Sequence, residues 1–223
     1  RSPATINHHI RSVKSFTRWL LSNHRLARDP LLGVKMLNVA SDRRRERRAL
    51  EDDELAALLR VAADIPSVTV EHRYIRKSGP NKGKLRLGTR TFTIERRDLL
   101  YLLAASTGLR FSEIKSLTPA SFDFASDPKT VTIEASYSKR RRRDVQPIRD
   151  DIAEAMRPFV ETAPKRESLW PKLPDEIARV MAQDLKAANI PVTDDAGRVI
   201  DFHALRHTFI TRLARSGVTP KVA

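Results

Sequence analysis

The chain has 223 residues, of which 40% are hydrophobic, enough to build a core and to argue against wholesale disorder. Lys and Arg number 42 against 27 Asp and Glu, which gives a net charge of +15 and indicates a polyanionic partner, because neutralised phosphates release counterions. The lack of cysteine excludes disulfides and thiolate zinc sites. No membrane-length apolar run or signal peptide is present, so we expect a cytoplasmic, DNA-accessible protein without membrane association.

The first predicted element is a helix that begins at Ser2-Pro3, an N-cap followed by proline at the first helical position. Its apolar face is marked by spacings of three and four at Ile6, Ile10, Val13, Phe16 and Leu20. Its opposite side carries cations with no anion among them, which favours a DNA backbone over a solvated face: Arg11, Lys14 and Arg18. A second short helix is predicted near Asp29-Pro30, running through Val34.

A basic run without periodicity, SDRRRERR at 41–48, is predicted to be a linker. Residues 1–48 hold 12 Lys or Arg against 3 Asp or Glu, so the charge is concentrated in the N-terminal piece. Residues 1–40 are too short for a stable core of their own, which predicts the C-terminal part of a larger helical domain. Within the linker, the candidate DNA contacts are Arg43, Arg44 and Arg45.

The remaining residues, 49–223, predict a second domain of mixed structure. A helix opens at 50–54 with acids in its first turn and an apolar face at Leu55, Leu58, Leu59 and Ala62. Residues 68–94 place β-branched residues around the turn SGPNKG and predict a hairpin with a basic tip, where Lys82 and Lys84 are candidate DNA contacts. A leucine-rich helix over 97–106 and a helix from Phe111 to Leu117 follow.

Short strands are then predicted at 122–124, 130–135 and 145–148. Helices are predicted at 152–160 and 175–188, with a turn at 194–197 and a final helix from His203. Together these elements predict an α+β fold: a mainly helical domain with a small antiparallel sheet, preceded by the last helices of an all-helical domain.

Two clusters in the second domain place cations where they can meet a phosphate. In TGLRFSE, 107–113, glycine ends one helix and puts Arg110 at the start of the next, where Glu113 can hold its guanidinium. In YSKRRRRDVQPI, Lys139 lies at a hairpin turn and is followed by four arginines, including the candidate DNA contacts Arg140 and Arg141. Five consecutive cations repel one another unless an anion offsets them. An ordinary surface pair and a solvated turn are the structural alternatives.

A third cluster, HALRHTF, puts His203, Arg206 and His207 on one helix face. An arginine beside two histidines disfavours a metal site, because its charge repels the ion and no carboxylate ligand is near. The set suits an oxyanion, since guanidinium binds phosphate oxygens in a fork and histidine moves protons near neutral pH. For His207 alone, a partly buried structural histidine is an equal alternative.

The strings TGLRFSE, YSKRRRRDVQPI and HALRHTF, in this order, resemble the tyrosine recombinases of the phage-integrase type. The stretch INHHIRSVKSFTRWLL is similar to the last helices of that family's core-binding domain, so residues 49–223 are expected to form the catalytic domain. The resemblance implies a site-specific recombinase or integrase, which breaks and rejoins DNA through a 3′-phosphotyrosyl intermediate and uses no cofactor or metal. The 68–94 segment is longer than this family pattern suggests.

The resemblance also implies a role for each matched residue. Arg110 and Arg206 would clamp the scissile phosphate, and Lys139 would protonate the leaving 5′ oxygen. His203 would bond the phosphate or assist the nucleophile. Glu113 would support Arg110, and His207 would be a supporting hydrogen-bonding group.

The family pattern continues to a Gly-His pair and a nucleophilic tyrosine, and the chain contains neither in the expected order. Tyr74, Tyr101 and Tyr137 all precede the HALRHTF cluster, so we expect no nucleophile in this chain, a truncated catalytic domain and no cleavage by the fragment alone.

The expected partner is double-stranded DNA, bound by the parent as a homotetramer on two sites, whereas the free fragment is expected to be monomeric. The alternatives are a non-catalytic DNA-binding remnant or regulator, a type IB topoisomerase, and an RNA-binding or ribosomal protein. The last two fit the order of the clusters less well.

Overall fold

The computed structural model describes residues 1–42, 46–75, 78–80, 82–138 and 141–217. The chain divides into two compact units, residues 1–46 and 47–223. None of the helices within these described ranges combines the length and apolarity needed to cross a membrane.

The first unit is built on helix α1, Pro3–Ser22, which begins as predicted. The Ser2 side chain accepts a hydrogen bond from the backbone N–H of Thr5 at 3.2 Å, which satisfies one of the free donors of the first turn. The predicted apolar face is not what this unit buries: Val13 and Phe16 are 50% and 57% exposed. The buried positions are polar, Asn7 and Thr17.

Asn7 explains this difference. Its amide accepts from the N–H of Leu37 and donates to the carbonyl of Leu37, both at 2.8 Å. The pair of bonds attaches the segment 34–38 to α1 at Leu37, because a side-chain amide can complete the hydrogen bonding of one backbone residue.

The second helix predicted near Asp29-Pro30 is wrong. The chain makes a turn there, in which the Asp29 carboxylate accepts from the N–H of Leu31 at 2.9 Å. The N–H of Val34 then bonds the carbonyl of Leu31 at 3.1 Å, after which residues 34–38 form no helix or strand. Aspartate bonding to a backbone N–H two residues ahead competes with helix formation. A 3-10 helix, Val39–Ser41, follows.

The second unit has the predicted α+β composition. Its helices are α2 Asp52–Asp64, α3 Arg97–Thr107, α4 Phe111–Lys115, α5 Asp150–Thr162, α6 Ile177–Ala187 and α7 Phe202–Arg215. Its strands are β1 Ser67–Ile75, β2 Leu85–Thr93, β3 Phe122–Asp123, β4 Thr130–Ile133 and β5 Asp144–Pro147. Among the described residues the strands are antiparallel and form two sheets: the pair β1–β2, which is the predicted hairpin, and the small sheet β3-β4-β5, which was also predicted.

Helix α3 lies at the centre of this unit. Its leucines Leu99, Leu100 and Leu103 are at most 2% exposed, and the helix packs against α2, α5 and α7. A helix that is apolar around most of its circumference is buried by its neighbours on several sides. The C-terminus of α3 is therefore fixed beside α7, and that is where the first of the sequence clusters begins.

A buried ion pair joins α3 to α6. The side chains of Arg97 and Asp184 are 0% and 1% exposed, and the guanidinium donates to both carboxylate oxygens at 2.8 and 2.9 Å. The Tyr101 hydroxyl donates to the same carboxylate at 2.7 Å, and Arg97 also donates to the carbonyl of Ile65 at 2.8 Å. No local sequence pattern predicted this network.

Candidate active site

The junction between α3 and α4, residues 107–110, is shaped by Gly108. This residue caps α3 in the left-handed conformation, with φ of 64°, and its N–H bonds the carbonyl of Ala104 at 3.0 Å. A Cβ at this position would lie 2.4 Å from Cδ1 of Phe209 on α7. Glycine is therefore required both by the backbone conformation and by the close approach of α7.

Arg110 leaves this junction as the N-cap of α4, and Glu113 holds it as predicted. The guanidinium donates from Nη1 to Oε1 of Glu113 at 2.8 Å, and the backbone N–H of Arg110 donates to Oε2 at 2.8 Å. The side chain of Glu113 is 7% exposed and that of Arg110 is 35% exposed. The carboxylate thus fixes one edge of the guanidinium while about a third of the side chain faces solvent.

Arg206 reaches the same junction from α7. The helix is capped by Asp201, whose carboxylate accepts from the N–H of Ala204 at 3.1 Å. One turn later, Nη1 of Arg206 donates to the carbonyl of Gly108. The structure therefore brings the first and third sequence clusters together, with both arginines anchored on residues 108–113.

Strand β5 is tied to the junction as well. The Gln146 side-chain amide donates to the carbonyl of Thr107. This strand belongs to the C-terminal part of the second sequence cluster, so that part of the cluster is fixed beside the junction. Lys139 and Arg140 lie outside the described residues. Arg141 is described and exposed.

Two histidines share the face of α7 with Arg206. The rings of His203 and His207 are 5.5 Å apart and nearly perpendicular. Desolvation lowers the pKa of His203, and the positive charge of Arg47 and the neighbouring His207 lower it further. His203 is therefore neutral at pH 7 and able to accept a hydrogen bond or a proton.

Arg47 is a site residue that sequence reasoning missed. Its Nε donates to both oxygens of Asp201, at 2.9 and 3.0 Å, and its backbone bridges to Val199. Arg47 was assigned to the linker, whereas it belongs to the second unit. Nothing in the run 43–48 distinguishes this arginine from its neighbours, because its partner is 154 positions away.

We expect the titration of His203 to respond to Arg47. Arg47→Gln should raise the pKa of His203 towards the ordinary value of about 6.5, because a positive neighbour is removed and Asp201, which opposes it, keeps its charge. The measurement is a histidine titration by NMR, with His203→Gln to assign the signal. A pKa that stays unchanged or falls in the Arg47 variant would contradict this electrostatic assignment.

Because folding lowers the pKa of His203, the stability of the folded chain depends on pH. Below about pH 6.5 the unfolded chain binds a proton at this histidine that the folded chain binds less readily. The contribution of His203 to stability is therefore present above the unfolded pKa and is lost as the pH falls through the folded pKa.

The other predicted DNA contacts belong to other segments of the chain. Lys82 and Lys84 are exposed on the β1–β2 hairpin, and Arg11 and Arg18 are exposed on α1, where Lys14 is partly buried. Arg43, Arg44 and Arg45 lie outside the described residues. Within the described ranges, no group of three His, Asp or Glu side chains is placed to hold a metal ion.

A family comparison matches this part of the chain. The sequence model of the phage integrase family matches residues 89–223, which is more than half of the chain and contains all three clusters. The chain belongs to the phage integrase family. The matched range begins inside β2, so β1 lies before it.

One curated relative of this chain is tyrosine recombinase XerC of Chlorobaculum tepidum. The two are 27% identical over 244 residues, which cover 98% of the chain and 63% of the relative. The chain thus spans less than two thirds of the length of that recombinase.

Solved structures share the fold. The Tn1549 transposon integrase (residues 82–397), in complex with circular intermediate DNA, superposes with a TM-score of 0.62 at 17% identity, over 99% of this chain and 69% of that one. The XerA recombinase superposes with a TM-score of 0.52 at 14% identity, over 94% of this chain and 69% of that one.

Proposed function

We propose that this phage integrase chain is the phosphate-binding part of a site-specific DNA recombinase or integrase. The observation that carries the proposal is the anchoring of Arg110 and Arg206 at one junction, by Glu113 and by the carbonyl of Gly108. Held guanidinium groups stabilise the charge of a phosphoryl transition state without reorganising during the reaction. They also offer paired donors that match phosphate oxygens.

Each residue of the site has a proposed role in strand cleavage. Arg110 and Arg206 bind the two non-bridging oxygens of the scissile phosphate. Lys139, which precedes β5 in the sequence, gives its proton to the departing 5′ oxygen. Neutral His203 accepts a hydrogen bond or the proton of the nucleophile, and His207 supports it.

The nucleophile in this proposal is a tyrosine outside residues 1–223. Its hydroxyl oxygen forms a bond to phosphorus as the bond to the 5′ oxygen breaks, and the reverse step rejoins the strand. Tyr101 does not suit this role, because it is buried and donates to Asp184, and burial together with that negative charge raises its pKa well above the ordinary value. Tyr74 lies on the hairpin, where its ring stacks on His72.

The proposed partner is double-stranded DNA, in keeping with the DNA bound to the Tn1549 integrase and with the charge of +15. The complete protein is proposed to act as a homotetramer on two DNA sites, and the 223-residue chain to be monomeric without DNA. Because the proposed nucleophile lies outside residues 1–223, the complete gene product is the protein to test for recombinase activity.

The test is to trap the covalent intermediate. The complete gene product is incubated with nicked duplexes taken from the DNA that flanks its gene, and the products are separated under denaturing conditions. We expect a protein–DNA adduct on a 3′ end, which disappears when the tyrosine downstream of residue 223 is replaced by phenylalanine. Duplex binding without any adduct would favour a non-catalytic, DNA-binding member of the family.

A further inference from the structure

The hairpin formed by β1 and β2, here called the ribbon (residues 67–93), has a packed base and a projecting outer half. At the base, Val68 and Val70 are 5% and 1% exposed, and β1 packs on α6. Arg90 fixes the other strand through an ion pair with Glu176 at 2.9 Å. Further out, Ile75, Leu85 and Leu87 are 62%, 61% and 67% exposed, so the outer half is open to solvent.

Several contacts stiffen the ribbon. On one face, Ser67 pairs with Thr93 and Thr69 with Thr91 through hydroxyl hydrogen bonds of 2.8 and 2.9 Å. On the other face, the rings of His72 and Tyr74 stack at 5.3 Å. They lie over Gly88, where an added Cβ would come within 3.0 Å of His72 and 3.1 Å of Tyr74. Aromatic rings that cover a strand glycine hold the local twist and register.

The charge of the outer half has one sign. Residues 72–87 contain six Lys or Arg and no Asp or Glu. Four of these cations lie in the described part of the ribbon and form no ion pair there: Arg73, Lys82, Lys84 and Arg86. Unpaired like charges on two adjacent strands repel one another, and a polyanion removes that repulsion.

The register divides these side chains between the two faces. Arg73 pairs with Leu87 and Ile75 pairs with Leu85, so one face carries aliphatic groups beside a guanidinium. The opposite face carries Tyr74 opposite Arg86. Nine residues per strand extend roughly 30 Å, and a two-stranded ribbon fits the width of the DNA major groove.

We propose that residues 72–75 and 82–87, in the outer half of the ribbon, bind duplex DNA through its phosphates, as a contact separate from the site at Arg110 and Arg206. This inference rests on the proposed function, because it requires a chain that binds DNA. The four cations neutralise phosphates, and the aliphatic face lies along the sugars and base edges of the groove. A protein partner is disfavoured, because charged residues are depleted from the centre of protein interfaces and here they alternate with the apolar ones.

The experiment compares two four-fold variants of the 223-residue chain that lose equal charge. The ribbon variant replaces Arg73, Lys82, Lys84 and Arg86 with glutamine. The control variant replaces exposed cations elsewhere on the second unit, with the same numbers of Arg and Lys, by glutamine: Arg60, Arg166, Lys172 and Lys186. The probe is a fluorescein-labelled duplex of about 30 base pairs and random sequence, titrated at several salt concentrations by fluorescence anisotropy.

We expect the ribbon variant to bind at least about 10-fold more weakly, with a salt slope reduced by about 3 to 4, because each phosphate contact contributes about 0.9 to that slope. The control variant should keep most of the wild-type slope. Equal loss in both variants, or no loss in the ribbon variant, overturns the ribbon contact while leaving DNA binding intact. A wild-type chain that does not bind the duplex overturns both this contact and the proposed function.

A second variant guards against misfolding. Lys82→Glu with Lys84→Glu changes only two exposed side chains near the tip of the ribbon. For each unit of positive charge removed, it should weaken DNA binding at least as much as the glutamine variant does. Its thermal unfolding midpoint should match that of the wild type. Wild-type affinity in this variant would also overturn the proposal.

Discussion

Arg206→Ala in the complete gene product is expected to slow DNA cleavage by about 10²- to 10³-fold, the usual effect of removing one preorganised donor from a transition-state site. Binding of the duplex should change little, with the salt slope falling by no more than about 1, because only one phosphate contact is lost. Cleavage is measured as the rate of covalent adduct formation in a single turnover, and binding by anisotropy on the same duplex.

We expect this loss of cleavage because of the position of the Arg206 guanidinium. Arg206 comes from α7 and is bonded to the carbonyl of Gly108, so it is held before the phosphate arrives. Arg206→Lys keeps the charge but offers a single ammonium group and cannot form the fork. We therefore expect lysine to restore binding fully and cleavage only in part.

Arg212 provides a matched control on the same helix. It pairs with Asp52, whose side chain is 87% exposed, and has no part in the proposed site. Arg212→Ala should cleave at the wild-type rate. If Arg206→Ala cleaves as fast as the wild type, or if both variants lose cleavage equally, the role proposed for Arg206 is wrong.

The sequence predicted those parts of the structure that depend on neighbouring residues. The α+β fold and the bounds of most elements in the second unit followed from apolar spacing and turn residues, since these signals repeat within a few positions. The bond from Glu113 to Arg110 was also predictable, because three residues separate them at the start of a helix.

Predictions from local sequence patterns failed where a residue's contact partner is far away in the sequence. Asn7 turns a polar face of α1 inward because it bonds a residue 30 positions ahead, and the apolar spacing of that helix gave the opposite expectation. The anchoring of Arg206 on Gly108 spans 98 positions. Composition and periodicity carry no information on such pairs, so the order of three clusters pointed to one site without giving its geometry.

The buried pair of Arg97 and Asp184 is another contact between residues far apart in the sequence, here 87 positions. Its loss has the largest expected effect on stability. Asp184→Asn should lower the free energy of unfolding by about 3 to 5 kcal/mol, because it leaves a buried guanidinium without its counter-charge. Urea unfolding followed by circular dichroism measures the loss. The exposed pair of Lys115 and Asp175 is the control, with Asp175 87% exposed; Asp175→Ala should cost no more than about 1 kcal/mol.

A double replacement distinguishes the charge from the packing. Arg97→Met with Asp184→Leu removes both charges together, and replacing a buried ion pair with apolar groups of similar size is often neutral or stabilising. We expect the double variant to be more stable than Asp184→Asn, although the Tyr101 hydroxyl loses its acceptor. A double variant less stable than the single one would show that the hydrogen bonds to Ile65 and Tyr101, and not the unpaired charge, set the cost. Because α3 carries Arg97 at its start and leads into Arg110 at its end, this pair also holds the helix on which one phosphate-binding arginine depends.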